Sequence, residues 1–412
     1  MSQLSQTAVF ATMFYRQRLD LLRAAYLHRD PMARLELRPG RRNPYAIYDQ
    51  IRARGPVSTT RLGNLMTPSH EVCRTVLRDR AFLVRMPGDA ADPTEADLSF
   101  LDMNPPDHTR LRRLAMPAFS PKKMAGYRPR IADRVNTLLD CAGPEFDLVS
   151  ALAAPLPISV ITDLLGIADA DADRFGRIGA VIGSALDGIQ SLSHASRLMA
   201  ANVELARLFE ELFDLRRRDP ADDIVSDIVA AEGDQIKPHE MLPMCVLLLV
   251  AGFETTVNLI GNAVNALLDH PDQWAALCAD PHTLAPKAIE ETLRFDPPVQ
   301  RTGRYASEAT ELAGFEVRPG RFVVTLIGAA NRDPEVYADP DTFDINRTPE
   351  AEHLAFSAGI HYCIGQPLAT LEATIALQTL AERMPSLRRA GRVRRRNATT
   401  IRGPQRLPVS VR

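Results

Sequence analysis

The sequence predicts a mainly α (α+β) protein: a helix-rich single domain with small peripheral β-sheets. Two observations carry this. From His108 to Leu268 the apolar residues recur at helical spacing, punctuated by proline and glycine at 117, 121, 143–144, 220 and 238. Short alternating runs lie only outside that stretch, at 56–69, at 311–325 and near the C-terminus. A chain of 412 residues that is 45% apolar can bury a sizeable core, which excludes a disordered or fibrous protein.

In chain order, a short helix is expected from Pro44 to Arg54. A small hairpin follows in PVSTTRLGNLMTPS (56–69), then a helix from about Glu71 to Arg78. MPGDAADPTEADLSFLDMNPPD (86–107) reads as a long loop, and loops of that length in compact domains are usually functional. The longest helix is expected to run unbroken from about Pro238 to Leu268, and ~30 residues span about 45 Å. Another helical stretch ends near Phe295. ELAGFEVRPGRFVVTLIGAANRDP (311–334) suggests two strands turning at Arg318 to Gly320. The tail RRAGRVRRRNATTIRGPQRLPVSVR (388–412) is basic, irregular and compatible with strands.

The formal net charge of -2 gives no global attraction to nucleic acid, so no nucleic-acid partner is expected. Five cysteines (Cys73, Cys141, Cys245, Cys278, Cys363) stand far apart with no CxxC pair, which points to a reducing compartment. The N-terminus lacks the basic start and apolar core of a signal peptide, so a cytoplasmic location is expected. The longest apolar run, LPMCVLLLVAGF (242–253), is shorter than the ~18 residues of a membrane span and reads as a core helix with no transmembrane role.

One cysteine stands apart from the others. Cys363 lies in FSAGIHYCIG (356–365), behind Gly359 and His361 and ahead of Gly365, where Gln366, Pro367, Leu368 and Ala369 look like a helix start. A cysteine by itself is commonly just a small buried hydrophobe. A thiolate ligand, in contrast, needs backbone N–H donors and a helix N-terminus to hold its charge. The pattern F-x-x-G-x-H-x-C-x-G resembles the haem-binding loop of the cytochrome P-450 family, soluble bacterial members of actinobacterial type in particular. That resemblance implies the family's fold, with haem b (iron protoporphyrin IX) between a long central helix and the cysteine loop. It implies Cys363 as the axial thiolate and metal ligand, with Phe356, Gly359, His361 and Gly365 in the cofactor-binding loop. It spans roughly residues 40–412 as the haem domain, leaving 1–39 as an N-terminal extension. Ser357, where glycine is frequent, and Thr370, where arginine often follows Leu-Ala, depart from the family pattern.

Other segments add to the resemblance. In LLLVAGFETTVNLIGNAV (247–264) an acid and two hydroxyl residues interrupt an apolar helix, which costs free energy unless they are paired. Back-bonding hydroxyls and a satisfied acid would also explain them. A-G-x-E-T-T is similar to the family's oxygen-binding segment, implying that Ala251 and Gly252 leave room for dioxygen and that Glu254 and Thr255 relay protons. Glu291 and Arg294 form an ordinary i,i+3 pair by spacing. Through the resemblance they join Arg347 in a structural network. HTRLRR places His108 and Arg112 on one helical face. With Arg304 and His361 they match the family's propionate partners.

The function implied is a haem-thiolate monooxygenase that inserts one oxygen atom of dioxygen into a hydrophobic small organic substrate. The sequence contains no G-x-G-x-x-G fingerprint and no cysteine cluster. Electrons are therefore expected from NAD(P)H only indirectly, through a ferredoxin reductase and a ferredoxin, with the chain acting as a monomer. A basic stretch from His108 to Lys123, with Arg110, Arg112, Arg113, Lys122 and Lys123 and no acid, is the expected ferredoxin face. A peroxygenase using hydrogen peroxide, a non-catalytic haem ligand-binding or sensor protein, and a cysteine hydrolase using Cys363 with His361 are the alternatives. The substrate pocket is expected from 86–107, Ile182 to Leu198, Val299 and Ile401, all mostly apolar.

Overall fold

The computed structural model describes residues 3–88, 98–189, 191–348 and 350–411. The middle of the 86–107 loop lies outside these residues.

The central helix, Pro238–Asp269, is the organising element. Glu240 fastens its start by accepting a hydrogen bond from the Lys237 backbone N–H at 2.8 Å. Nearly every residue from Met244 to Leu267 is buried, because helices pack against it on all sides: Pro155–Leu164, Asp169–Gly183, Pro281–Phe295 and Gln366–Arg383. It is long and apolar enough to cross a membrane, yet 83% of its most apolar window is buried inside the protein, as in a core helix. The expected unbroken run needs one correction: Pro243 lies inside the helix. It falls in the second turn, where a proline forfeits one hydrogen bond to the turn before it, and the helix continues.

The expected helices at the two ends of the chain form at Tyr45–Arg52, His70–Arg78 and Pro281–Phe295. The expected hairpin pairs Ser58–Thr59 with Leu65–Thr67. It belongs to a five-stranded sheet that continues through Phe322–Thr325 and Thr302–Ala306 to Phe82–Leu83. Leu65–Thr67 and Phe322–Thr325 run parallel, and the other pairs are antiparallel.

The turn expected at Arg318 to Gly320 is not the hairpin turn. Thr310–Leu312 pairs with Phe315–Val317 across Ala313 and Gly314, whose φ values of 47° and 80° suit a tight two-residue hairpin. Phe322–Thr325 leaves for the larger sheet, where Val323 and Val324 are buried. The basic tail contributes Arg388–Arg389, Arg394–Arg395, Pro404–Arg406 and Pro408–Ser410 to two small sheets.

Helix Pro281–Phe295 carries the buried ion pair. Arg294 donates to both oxygens of Glu291 at 2.7 Å, and each side chain is 4% exposed. The remaining arginine N–H groups donate to the carbonyls of Asn331, Pro340 and Thr342, while Glu291 also accepts from the Asp344 backbone N–H. Arg347 approaches Glu291 at 3.5 Å and donates to the carbonyls of Ala338, Asp339 and Thr342. The irregular segment 331–347 is thus tied to one helix by charge-assisted hydrogen bonds.

Glu291→Gln leaves the buried Arg294 guanidinium, and the half-buried Arg347 beside it, without their carboxylate, a change that costs about 3–5 kcal/mol in buried pairs. Urea unfolding should show a loss of that size; a loss below about 1 kcal/mol would class the pair with exposed ion pairs.

Candidate active site

The loop around Cys363 is built on backbone geometry. The Cys363 N–H donates to the Phe356 carbonyl at 2.9 Å and the Tyr362 N–H to the Gly359 carbonyl at 3.1 Å, so 356–363 closes on itself. Gly359 has φ +70°, and a Cβ there would lie 2.5 Å from the Leu77 carbonyl oxygen, so glycine is required on both counts. A Cβ on Gly365 would make only ordinary contacts, 4.0 Å from the Cys363 Sγ and 3.9 Å from the Phe119 ring. That glycine occupies the space between the sulfur and Phe119.

Ser357 has φ 63°, the left-handed region that glycine takes without steric cost, and its buried hydroxyl has no hydrogen-bond partner. The departure from the glycine frequent at this position therefore leaves a strained residue. Thr370 accepts a hydrogen bond from Gln366 at 3.4 Å, on the first turn of helix Gln366–Arg383.

Burial pushes the Cys363 thiol up, while the backbone N–H groups of Gly365 and Gln366 and the Arg112 guanidinium pull it back down. Those donors sit at the start of the following helix, as a thiolate requires. Cys73 and Cys245 are fully buried in apolar surroundings, and burial raises both thiols, Cys73 to about 12. Neither sits beside a cation at a helix start: no donor lowers Cys245, and Cys73 meets the Leu326 backbone and Thr67.

Cationic and imidazole groups gather beside the loop. His108 and His361 bring their rings to 4.3 Å between centroids. Both ring nitrogens of His108 are buried without a hydrogen-bond partner. Arg112 donates to the Tyr362 carbonyl, and Arg304, 6% exposed, donates to the Gly303 carbonyl at 2.7 Å. Among the described residues neither arginine has an ion-pair partner. Burial lowers Arg304 to about 10, and burial together with Arg304, His108 and Arg112 drives His361 down to about 3. A buried and a half-buried cation, partly offset by Asp102 and Cys363 but without an ion pair among the described residues, stand beside orphaned imidazole nitrogens and fit a ligand that brings two carboxylates.

Across the central helix the pattern of exposure is uneven. Ala251 is exposed, and Gly252 and Thr255 are half-exposed, inside a helix otherwise buried around them. Ala251 and Thr255 are i,i+4 neighbours and share a face. Gly252 points elsewhere: a Cβ there would lie 2.6 Å from Ile161 Cγ1, so its smallness admits helix Pro155–Leu164. The Thr255 hydroxyl donates to the Ala251 carbonyl and the Thr256 hydroxyl to the Gly252 carbonyl, each at 3.2 Å. Glu254 is 3% exposed and ion-paired with Arg396 from the C-terminal tail. Sequence reasoning missed Arg396, because a basic run such as RVRRRN has no spacing relation to residue 254. It also missed Asn331, whose side chain donates to the Leu293 carbonyl and accepts from the Leu354 N–H, so helix 281–295 steadies the chain entering the cysteine loop. Of the expected pocket segments, Val299 and Ile401 meet in an antiparallel bridge.

A supported thiol, a helix with an exposed notch and a dicarboxylate cradle in one helical fold define the haem-thiolate proteins as a class. Comparison with known proteins agrees. A family model described as Cytochrome P450 matches residues 193–384. The biotin biosynthesis cytochrome P450 of Bacillus subtilis is 38% identical over 84% of this chain and 90% of its own length. The cytochrome P450 monooxygenase PikC of Streptomyces venezuelae is 38% identical over 84% of this chain and 85% of its own. The ligand-free crystal structure of CYP164A2 from Mycobacterium smegmatis superposes with a TM-score of 0.84 at 39% identity, covering 92% of this chain and 99% of that one. The chain belongs to the cytochrome P450 family. It is an oxidoreductase of the monooxygenase type whose cofactor is haem b.

Ser357→Gly removes the left-handed strain and should stabilise the protein by about 1 kcal/mol. A raised urea midpoint with an unchanged haem spectrum is the expected outcome; a lowered midpoint would show that the serine is held by something other than strain.

Proposed function

We propose that this chain hydroxylates a hydrophobic small organic substrate in the cytoplasm, as a monomer, with electrons delivered by a ferredoxin and its reductase. Cys363 holds the iron, His108, Arg112, Arg304 and His361 hold the haem carboxylates, and Phe356, Gly359 and Gly365 shape the loop. When bound, haem supplies the activation of dioxygen. The observation that carries the reading is the polar pair Glu254 and Thr255 beside the exposed Ala251 on a helix that is otherwise core.

The protein's own part is to bind, orient and supply protons. Burial raises the Cys363 thiol, and the N–H groups of Gly365 and Gln366 and the charge of Arg112 oppose that rise and would help to hold a thiolate on the iron. The Thr255 hydroxyl, back-bonded to Ala251, can rotate that donor towards a ligand in the notch and accept a proton in exchange. Glu254, buried and held by Arg396, is the neighbouring acid that can pass on a proton. Such a pair counts against a peroxygenase, while a haem sensor would bind its ligand tightly with no turnover under any donor.

The proposed ferredoxin face is smaller than the sequence suggests. Arg110 is committed to Glu240 and Asp107, both at 2.7 Å, and Lys123 to Asp222 at 2.6 Å. Arg112 turns to the Tyr362 carbonyl. Arg113 and Lys122 are exposed and have no such partners among the described residues, and they can steer an acidic protein.

Cys363→Ser should lose the thiolate-type absorption of the reduced carbon monoxide adduct, while Thr255→Ala keeps it and diverts electrons to hydrogen peroxide. An unchanged spectrum in the first variant would end the ligand assignment. Full coupling of electron use to product in the second would reject the relay.

Arg113→Glu should slow reduction by an acidic ferredoxin severalfold at low salt and flatten the salt dependence, since exposed charges are screened over about 10 Å at 0.1 M. Stopped-flow rates and salt slopes equal to those of the wild type would place the docking face elsewhere.

A further inference from the structure

A groove of about 820 Å³ lies between the short helix Arg38–Arg42 and the C-terminal tail. Its wall contains eight arginines and no acidic residue. Four of them are engaged. Arg41 donates to the Asn397 side chain at 3.2 Å, Arg395 faces Asp296 at 3.4 Å, Arg396 pairs with Glu254, and Arg406 pairs with Asp147 at 3.1 Å. The other four, Arg38, Arg42, Arg392 and Arg394, are exposed and have no ion-pair partner among the described residues.

Gathering four unpaired guanidinium groups around one concavity raises the free energy of the empty groove through their mutual repulsion. An anion placed among them relieves that repulsion. Arginine presents a planar fork of donors that matches the oxygens of a phosphate two at a time. The volume falls in the range of small-ligand sites, about 300–1,000 Å³. A protein partner would meet the rim and leave this interior unfilled, so shape favours a small ligand. Two segments from opposite ends of the chain build the wall, which gives the groove a fixed form that a solvated arginine face lacks.

We propose that this groove binds a small phosphate-rich molecule carrying three or more negative charges, of the size of a nucleoside di- or triphosphate. The phosphates sit among Arg38, Arg42, Arg392 and Arg394, and Arg41 and Asn397 close one side. Arg396 shares the wall but turns its head to Glu254, so the site lies one side chain from the central helix. The proposal is independent of the roles given to Cys363 and Thr255.

The test is calorimetric titration of the haem-loaded protein with inorganic tripolyphosphate in 0.15 M salt. Saturable one-to-one binding is expected, weakened at least tenfold by Arg42→Glu with Arg394→Glu and unaffected by Arg113→Glu. Arg42→Lys with Arg394→Lys keeps the charge but loses the fork, and should weaken binding severalfold. The haem absorption spectrum reports whether each variant is folded; if the double variant is not, Arg42→Gln and Arg394→Gln taken singly should each weaken binding. Absence of saturable binding by the wild type, or equal affinity in the Arg42 and Arg394 variants, overturns the proposal. So does tighter binding of an acidic protein such as a carrier protein or ferredoxin than of tripolyphosphate, which would make the groove a protein-docking face.

Discussion

Burial of the Glu291 and Arg294 charges is the constraint on which the rest of the site depends. A carboxylate and a guanidinium taken out of water must be paired and fully hydrogen-bonded, or they destabilise the fold. Here the leftover donors of Arg294 reach three backbone carbonyls in 331–342, and Arg347 adds those of Ala338 and Asp339 and shares that of Thr342. An irregular segment acquires through them the definition that a sheet ladder would otherwise provide. Asn331 passes this order on: anchored to Leu293, it receives the N–H of Leu354, two residues before the loop that carries Cys363. A neighbouring cluster works in the same way, with Asp296 accepting from Tyr45 and Arg402, and Arg332 lying 3.6 Å from the Tyr45 ring and 3.7 Å from the Phe295 ring.

The site itself is organised by groups that the protein leaves electrically incomplete. Arg112 and Arg304 are desolvated without ion-pair partners among the described residues, and burial, reinforced by the neighbouring Arg304 and Arg112, drives His361 to the neutral form. Desolvated cations of this kind are costly unless paired, and in the proposed reading the haem carboxylates would pair with them. On the other side of the centre, the protein completes the charge: Glu254 is not left bare but paired with Arg396. The two treatments match two tasks, attracting a fixed anion and keeping an acid available in an apolar helix.

Near neutrality of the whole chain hides a segregated distribution of charge. Of the five basic side chains between His108 and Lys123, Arg110 and Lys123 are paired with acids, whereas no acid lines the groove beside Arg38–Arg42, where four exposed arginines have no ion-pair partner among the described residues. Net charge therefore says little about what either surface attracts. The local pairing decides it.

Helical periodicity, the apolar run at 242–253 and the loop around Cys363 were legible in the sequence because each depends on residues close together along the chain. The long helices, the helix after the cysteine and the left-handed requirement at Gly359 follow from such local chemistry. Pairings between distant residues were not legible. The partner of Glu254 comes from residue 396, that of Arg110 from residue 240, and the hairpin turn moved to Ala313 and Gly314 because Phe322–Thr325 finds its neighbours at Thr302–Ala306 and Leu65–Thr67. Gly252 reads locally as space beside the site, but its missing Cβ is filled by Ile161. Local spacing sets which backbone conformations are cheap, so the sequence alone determined the elements and the thiol loop. Which charges neutralise one another, and which small residues are filled by packing, depends on distances across the folded core, and only the tertiary structure decided those.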